Sequence, residues 1–226
     1  MLFQLKFLVF AFALTSILPQ GCSKPADQSS AAKLMVQNNQ TQETLVGARV
    51  SQGDTFKGFD VYVDGGSLKN HFVASGWMGD YGDIKMDEKS TKRPRSGATC
   101  IKTIYTGRGM QGARWAGVYW QNPPNNWGTR PGGYDLRGAK KLTFWARGEI
   151  GGEKIQEFKM GGLTGEYADS DIASTGLVTL TTEWQQFTID LQGKDLSYIS
   201  GGFCWATNVD ANPAGCTFYL DDVRYE

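Results

Sequence analysis

Residues 184–191, Trp-Gln-Gln-Phe-Thr-Ile-Asp-Leu, alternate between apolar and polar side chains. Successive side chains of a β-strand point to opposite faces. Phe187, Ile189 and Leu191 would therefore lie on one face of an extended segment, and the polar residues between them would lie on the other. This pattern predicts a strand that packs one face against a core and exposes the other to solvent.

Seven further segments combine β-branched or aromatic residues with glycine-rich ends, which is typical of strands. They are 59–65 (FDVYVDG), 98–106 (ATCIKTIYT), 114–121 (RWAGVYWQ), 140–148 (KKLTFWARG), 154–162 (KIQEFKMGG), 201–207 (GGFCWAT) and 216–225 (CTFYLDDVRY). No segment longer than about ten residues has a convincing 3.6-residue period. Together with the 29 glycines, the pattern predicts an all-β fold, an antiparallel β-sandwich or jelly roll.

The start of the chain has the features of an exported protein. One positive charge precedes an apolar run over residues 7–18, FLVFAFALTSIL, which is the layout of a signal peptide. The run is shorter than the ~20 residues that a membrane-spanning helix needs. Its exit at Gly21-Cys22 resembles the lipobox of bacterial lipoproteins, in which the cysteine becomes the lipidated first residue. Pro19 and Gln20 depart from that pattern, and ordinary signal-peptidase cleavage is the alternative.

We therefore divide the chain into a signal peptide (1–21), a flexible polar spacer behind a lipidated Cys22 (22–44) and a single β-sandwich domain (45–226). The spacer has no aromatic residue and cannot bury enough apolar surface to order itself. The predicted location is the bacterial cell envelope, as an outer-membrane or cell-surface lipoprotein, and otherwise the periplasm or the medium.

The charge balance excludes strongly charged partners. The chain has 23 basic and 23 acidic residues and a net charge of +0. No long-range attraction to nucleic acid or to an anionic membrane follows from this balance. We expect a monomer that contacts the membrane only through its lipid anchor.

Three elements carry a resemblance to a known family. They are an aromatic strand ending in Ala-Arg-Gly (142–148), a Trp-led strand ending in Ile-Asp-Leu (184–191) and a closing Tyr-Leu-Asp-Asp-Val (219–223). Their order resembles the galactose-binding-like jelly rolls that serve as carbohydrate-binding modules, over residues 56–226. The resemblance implies non-catalytic binding of an oligo- or polysaccharide, although this fold also binds other partners.

The same resemblance implies a structural calcium ion, because such jelly rolls commonly hold Ca²⁺ between the first and last strands. Hard cations prefer carboxylate and carbonyl oxygens. The predicted ligands are Asp64, after the first strand, and Asp221 and Asp222, in the last. Adjacent strand residues point to opposite faces, so at most one of the last two is expected to bind the ion. We favour Asp221, which shares a phase with Tyr219 and Val223; the alternative is a pair of surface acids.

A sugar site needs exposed aromatic rings beside groups that bond hydroxyls. Residues 115–127, WAGVYWQNPPNNW, contain both. The predicted carbohydrate-binding residues are Trp77, Trp120, Asn122, Trp127 and Trp205. Trp127, on a Pro/Asn loop, and Trp77, in a glycine-rich loop, are the stronger candidates because loops run over the surface. Trp120 and Trp205 lie in strands and also fit a core.

Periodicity leaves the orientation of the strand at 114–121 open. Trp115 and Tyr119 share one side of it, and Val118 and Trp120 share the other. One side must face the core, but the alternation is equally compatible with either choice.

Few catalytic arrangements are compatible with the sequence. His71 is the only histidine, which excludes multi-histidine zinc sites, and no GxSxG or GxxxxGK[ST] motif occurs. Glycoside hydrolysis needs only two carboxylates. The acidic candidates are Glu149, Glu153, Glu157, Glu166, Asp169 and Asp171. We predict no catalytic residues and a protein that is not an enzyme; the alternatives are a catalytic jelly roll, hydrolase or lyase, or an envelope protein–protein interaction module.

The cysteines allow one disulfide. Cys204 and Cys216 lie in the last two predicted strands, and their sulfurs could form a bridge if those strands pair. Cys100 would then remain free. The alternative is three buried thiols that act as small apolar residues.

Overall fold

The computed structural model describes residues 56–226, which form thirteen β-strands and one short 3-10 helix at Tyr81–Asp83. The strands are β1 (Phe59–Tyr62), β2 (Val73–Gly79), β3 (Ile84–Ser90), β4 (Cys100–Tyr105), β5 (Trp115–Gln121), β6 (Lys141–Gly148), β7 (Lys154–Ile155), β8 (Glu157–Gly161), β9 (Ile172–Ser174), β10 (Val178–Thr179), β11 (Gln185–Asp190), β12 (Gly201–Asn208) and β13 (Cys216–Tyr225). The predicted signal peptide, Cys22, the spacer and residues 45–55 lie outside the described residues. Within the described part, no helix has the length and apolar character needed to cross a membrane.

The strands form two antiparallel sheets. Sheet A has the order β11-β6-β13-β4-β3, and β1 also pairs with β13. Sheet B has the order β2-β5-β12-β8-β9, while β7 and β10 form a separate pair. The predicted antiparallel β-sandwich is confirmed.

Aromatic side chains from both sheets fill the space between them. The Phe144 ring of sheet A lies 4.6 Å from the Phe158 ring and 5.2 Å from the Phe203 ring of sheet B, measured between centroids. The alternation predicted for β11 is confirmed, because Ile189 and Leu191 are buried while the intervening polar residues are exposed. Burial of such rings from water is the main stabilising contribution of this core.

All eight predicted strands are present, but the sequence did not predict β2, β3, β9 and β10. Strands β2 and β3 each form one edge of a sheet. β3 carries exposed charges at Lys85, Asp87 and Lys89, which protect an edge from pairing with other chains. An edge strand with few apolar residues gives little sequence signal for a strand.

A register shift divides β13 into two halves. Residues before Asp221 pair with β4, and residues after Asp222 pair with β1. Asp222 has a φ of +48°, and the shift changes the strand's phase, as a β-bulge does. Val223 therefore packs in the core between the sheets. Tyr219 lies outside that core, and its ring centroid is 3.6 Å from Cζ of the Arg147 guanidinium. Tyr219 and Asp221 share a phase as predicted, since they stand opposite Arg147 and Trp145 of β6. The predicted phase of Val223 is wrong because the shift falls between Asp221 and Val223.

Candidate functional site

Trp120 and Trp205 lie in the core, so their prediction as binding residues is wrong. Their exposed fractions are 1% and 0%. Both rings lie on the inner side of sheet B, where Trp205 stands opposite Val118 in the register of β12 and β5. Trp205 packs edge-on against Phe218 of sheet A, with ring centroids 5.0 Å apart. This contact settles the orientation that periodicity left open.

The opposite side of sheet B, which we call the outer face, carries Trp115 and Tyr119 from β5. Tyr119 is buried under Met78 and Leu163 and under Trp127, whose ring stands edge-on with its centroid 6.1 Å from that of Tyr119. Trp127 itself is 39% exposed. The predicted loop tryptophan is therefore on the surface, supported by a buried aromatic ring.

The loop that carries Trp127 is held by hydrogen bonds. Asn126 is buried; its side-chain oxygen accepts from the backbone N–H groups of Thr129 and Arg130, and its side-chain nitrogen donates to the Arg130 carbonyl over 2.9 Å. Gln121 Nε2 donates to the Asn126 carbonyl over 2.9 Å. These bonds limit the conformations of the loop and so hold the Trp127 ring in place.

Asn122 and Gly128 fix the two sides of the same loop. Asn122 Nδ2 donates to the His71 carbonyl and to Tyr134 Oη, the latter over 3.0 Å. Gly128 has a φ of +79°, and a Cβ at this position would lie 2.0 Å from the Thr164 carbonyl oxygen, so only glycine fits. Asn122, predicted to contact sugar, has its amide nitrogen committed to the protein, where it positions the loop.

A charged pair adjoins the aromatic rings. Lys159 Nζ lies 5.4 Å from the centroid of Tyr119 and 2.8 Å from Glu157 Oε1. Burial raises the pKa of Tyr119 far above its ordinary value, so its hydroxyl stays protonated and donates to the Gly161 carbonyl over 2.9 Å. The pair offers both a donor and an acceptor beside Tyr119, the ring that also supports Trp127, and sequence reasoning did not single out Lys159.

Trp115 provides a second exposed ring on the outer face. It is 40% exposed and lies four residues from Tyr119 along β5, which corresponds to about 13 Å. Between them Gly117 has no side chain, and a Cβ there would lie 2.6 Å from the Trp205 carbonyl oxygen. The Met78 side chain of β2 lies over Gly117, and its methyl carbon would be 3.0 Å from such a Cβ.

Trp77 does not belong to this face. It lies in β2, not in the predicted loop, and stands opposite Val118, whose side chain is in the core. Met78, the next residue, stands opposite Gly117 and packs on the outer face. Trp77 remains 38% exposed because β2 is an edge strand. Its prediction as part of the same site as Trp127 is wrong.

The carboxylates of the three predicted calcium ligands accept hydrogen bonds from the loop of residues 91–99. Asp64 Oδ1 accepts from the N–H groups of Ala98 and Thr99 over 2.9 and 2.8 Å, and these bonds, Thr99 first, lower the pKa of Asp64. Asp221 Oδ2 accepts from Arg95 N over 2.7 Å. Burial raises the pKa of Asp221 to about 6.

This arrangement ties the loop of residues 91–99 to β1 and β13, and Asp222 adds a bond from Ser96 Oγ over 2.7 Å. N–H groups aimed at a carboxylate oxygen place positive dipole ends where a cation would bind. Within residues 56–226, no group of three or more His, Cys, Asp or Glu side chains could hold a metal ion. Asp64, Asp221 and Asp222 therefore do not fit the predicted calcium site.

The predicted Cys204–Cys216 disulfide is wrong, because Cys100, Cys204 and Cys216 are buried and free. The prediction required β12 to pair with β13. Instead β12 pairs with β5 and β8 in sheet B, and β13 belongs to sheet A. Burial raises the pKa of Cys216 to about 12, so the thiol stays protonated and acts as a small apolar group.

Most of the acidic candidates for hydrolysis have structural partners. Glu157 pairs with Lys159, and Asp171 pairs with Lys194 over 3.0 Å. Asp169 accepts from the backbone N–H groups at 163, 200 and 201. Glu166 is exposed, while Glu149 and Glu153 line a groove at one end of sheet A.

Comparison with known proteins identifies the architecture. No protein-family model matches the chain, and no curated protein matches it. Among solved structures, the family 30 carbohydrate-binding module of the cellulosomal cellulase Cel9D-Cel44B of Clostridium thermocellum is similar, with 18% identity, 75% of this chain and 96% of that chain covered, and a TM-score of 0.50. The family 11 module of cellulase Lic26A-Cel5E of the same organism has 14% identity, 76% and 95% coverage and a TM-score of 0.49. The described domain has the jelly-roll fold of carbohydrate-binding modules.

Proposed function

We propose that this protein binds an oligo- or polysaccharide through the outer face of sheet B, without cutting it, while a lipidated Cys22 anchors it in the bacterial envelope. The observation that carries the proposal is the exposed ring of Trp127, supported by Tyr119, which in turn adjoins the Lys159–Glu157 pair. The structural similarity of the domain to the family 30 carbohydrate-binding module agrees with this assignment.

The chemistry of the face suits a neutral sugar. Sugars present an apolar ring face that stacks on an indole and hydroxyls that both donate and accept hydrogen bonds. Trp127 supplies the stacking surface, Glu157 an acceptor and Lys159 a donor. Because Glu157 and Lys159 neutralise each other, the face does not favour an acidic ligand over an uncharged one.

The length of the face favours a chain over a single sugar unit. Trp115 lies about 13 Å from Tyr119 along β5, on the same side of sheet B. Between them the Met78 side chain of β2 covers Gly117 of β5, so the surface that joins the two positions is apolar. A ligand that contacts both exposed tryptophans must span several sugar units.

The anchoring half of the proposal comes from the N-terminal sequence. The apolar run over 7–18 and the Gly21-Cys22 exit support export and lipidation. A spacer of polar residues at 22–44 would let the domain reach glycans at a distance from the anchor.

The test is a paired substitution of two tryptophans with nearly equal exposure. A glycan array identifies the ligand of the intact protein, and isothermal titration measures its affinity for each variant. Trp127→Ala should weaken binding at least roughly tenfold, which is ~1.4 kcal/mol, with little change in melting temperature. Trp77→Ala, on the other side of sheet B, should leave the affinity unchanged.

Two results would contradict the proposal. One is normal glycan binding by Trp127→Ala, or equal losses in both variants. The other is release of sugar fragments by the wild-type protein, which would show a catalytic jelly roll.

A further inference from the structure

A recess of about 160 Å³ lies on the solvent side of sheet A, where β11, β6 and the second half of β13 run side by side. It belongs to the opposite sheet from the proposed glycan-binding face and shares no lining residue with that face. We call it the sheet A recess, and it is lined by Asp60, Val63, Thr143, Trp145, Gln186, Asp222, Arg224 and Glu226.

The sheet register brings four of these side chains together. Gln186 stands opposite Trp145, and Arg224 stands opposite Thr143, two residues away along β6. Residues two apart on a strand share a face, and directly opposed side chains are ~4.5–5.5 Å apart at their Cβ atoms. The intervening residue of β6, Phe144, packs in the core. The four side chains therefore point away from the core and into the recess.

The indole of Trp145 is held in position by a stacked cation. Cζ of the Arg95 guanidinium lies 4.1 Å from the centroid of the indole, a favourable cation–π contact. Arg95 does not line the recess, so it supports the indole from outside the recess. The loop that carries Arg95 is itself fixed, because Asp221 accepts from the Arg95 N–H and Asp222 accepts from Ser96 Oγ. The recess is therefore formed before any ligand binds.

Three polar side chains of the recess can reach a ligand. Gln186 is exposed, and its amide can both donate and accept hydrogen bonds. Trp145 is partly exposed, and its Nε1–H, unlike that of Trp205, is not enclosed. Asp222 is also partly exposed, and its Oδ1 accepts from Ser96 Oγ over 2.7 Å, which leaves Oδ2 as an acceptor. The recess thus offers donors, acceptors and part of an aromatic ring.

The charges around the recess largely cancel. Arg224 pairs with Asp60, and Lys141 pairs with Glu226, each over 2.8 Å. Asp222 has no ion pair with any residue of 56–226, and its carboxylate disfavours an anionic ligand. In the same part of the chain, no group of three or more His, Cys, Asp or Glu side chains could hold a metal ion. An uncharged ligand fits this environment best.

We infer that the sheet A recess is a second binding site, for a small neutral polyhydroxylated ligand such as a single sugar unit. One ligand hydroxyl would bond the Gln186 amide, another would accept from Trp145 Nε1, and a third would donate to Asp222 Oδ2. A hydroxylated ligand fits because each hydroxyl can donate and accept. The recess is smaller than the ~300–1,000 Å³ of sites that enclose larger ligands, so a single unit is expected in it, not a chain.

The test is a titration of the intact ¹⁵N-labelled protein with glucose, galactose, mannose, xylose and glycerol. The side-chain amide signals of Gln186 and the indole N–H signal of Trp145 should shift and saturate with at least one of these probes. Gln186→Ala should weaken that binding at least about fivefold, because it removes hydrogen bonds to the ligand. Gln185→Ala is the matched control, since Gln185 is also exposed but points to the other face of β11.

A second variant tests the indole. Trp145→Phe keeps an aromatic ring beneath Arg95 and deletes the N–H donor, so it should also weaken binding of the sugar. The melting temperature of each variant is recorded beside its titration, so that a loss of binding is separated from a loss of folding.

Each outcome decides the inference separately from the proposed function. Absence of saturable shifts at Gln186 and Trp145 in the wild-type protein overturns it, as does an equal affinity in Gln185→Ala and Gln186→Ala. The same shifts produced by Ca²⁺ or sulfate in place of the sugars also overturn it and indicate an ion site. Trp127→Ala should leave this titration intact, so loss of glycan binding at sheet B is measured independently.

Discussion

Replacing Asp221 with asparagine should change how the stability of the protein depends on pH. Asp221 is fully buried where β13 shifts register. Its two oxygens accept hydrogen bonds from Arg95 N over 2.7 Å and from Asp222 N over 2.9 Å. Burial nevertheless dominates and raises its pKa to about 6, with the nearby Asp222 acting in the same direction.

The direction and size of the effect follow from proton binding. In the unfolded chain an aspartate has a pKa of about 3.9, so between this value and about 6 the folded protein binds the proton more tightly. The free energy of unfolding therefore falls as pH rises through this window. The difference between the two pKa values corresponds to about 3 kcal/mol. Asparagine does not ionise, so Asp221→Asn lacks this loss.

Chemical denaturation of both proteins at about pH 4 and about pH 7 measures the effect. The free energy of unfolding of the variant minus that of the wild type should increase by about 2–3 kcal/mol between the two pH values. The difference between the two proteins is measured because other carboxylates also titrate. Those with lowered pKa values, such as Asp171, raise the free energy of unfolding as pH rises, but they do so by the same amount in both proteins. Asp64→Asn is the control of opposite sign, because the lowered pKa of Asp64 stabilises the wild type at the higher pH. A pH-independent difference for Asp221→Asn would refute the reasoning.

Two further predictions concern the anchor and the metal. Cys22→Ser should move the protein from the membrane fraction to the soluble fraction, and unchanged partitioning would leave simple secretion as the explanation of the N-terminal sequence. Because Asp64 and Asp221 accept backbone N–H groups, and Asp222 accepts the Ser96 hydroxyl, in place of a cation, melting curves recorded with calcium and with chelator should coincide. A lower melting temperature in chelator would restore the calcium hypothesis, with ligands other than this set.

The proposed binding face was only partly predictable from the sequence. Trp127 was identified because a tryptophan beside prolines and asparagines is hard to place in a core, and the structure puts it on the surface. Tyr119 and Lys159 carried no such signal, since each lies in an ordinary strand segment. Their contribution depends on β5 and β8 lying on either side of β12, which brings together residues 40 positions apart in the chain.

The sequence by itself determined the fold class, because the two-residue alternation in segments such as 184–191 is a local property that any buried sheet face imposes. Only the tertiary structure decided which face of β5 is buried, since alternation is symmetric until a second sheet covers one side. It also decided that Cys204 and Cys216 lie in different sheets, because strands adjacent in the chain need not pair. The phase of Val223 likewise depended on a register shift that arises only when β13 pairs with both β4 and β1.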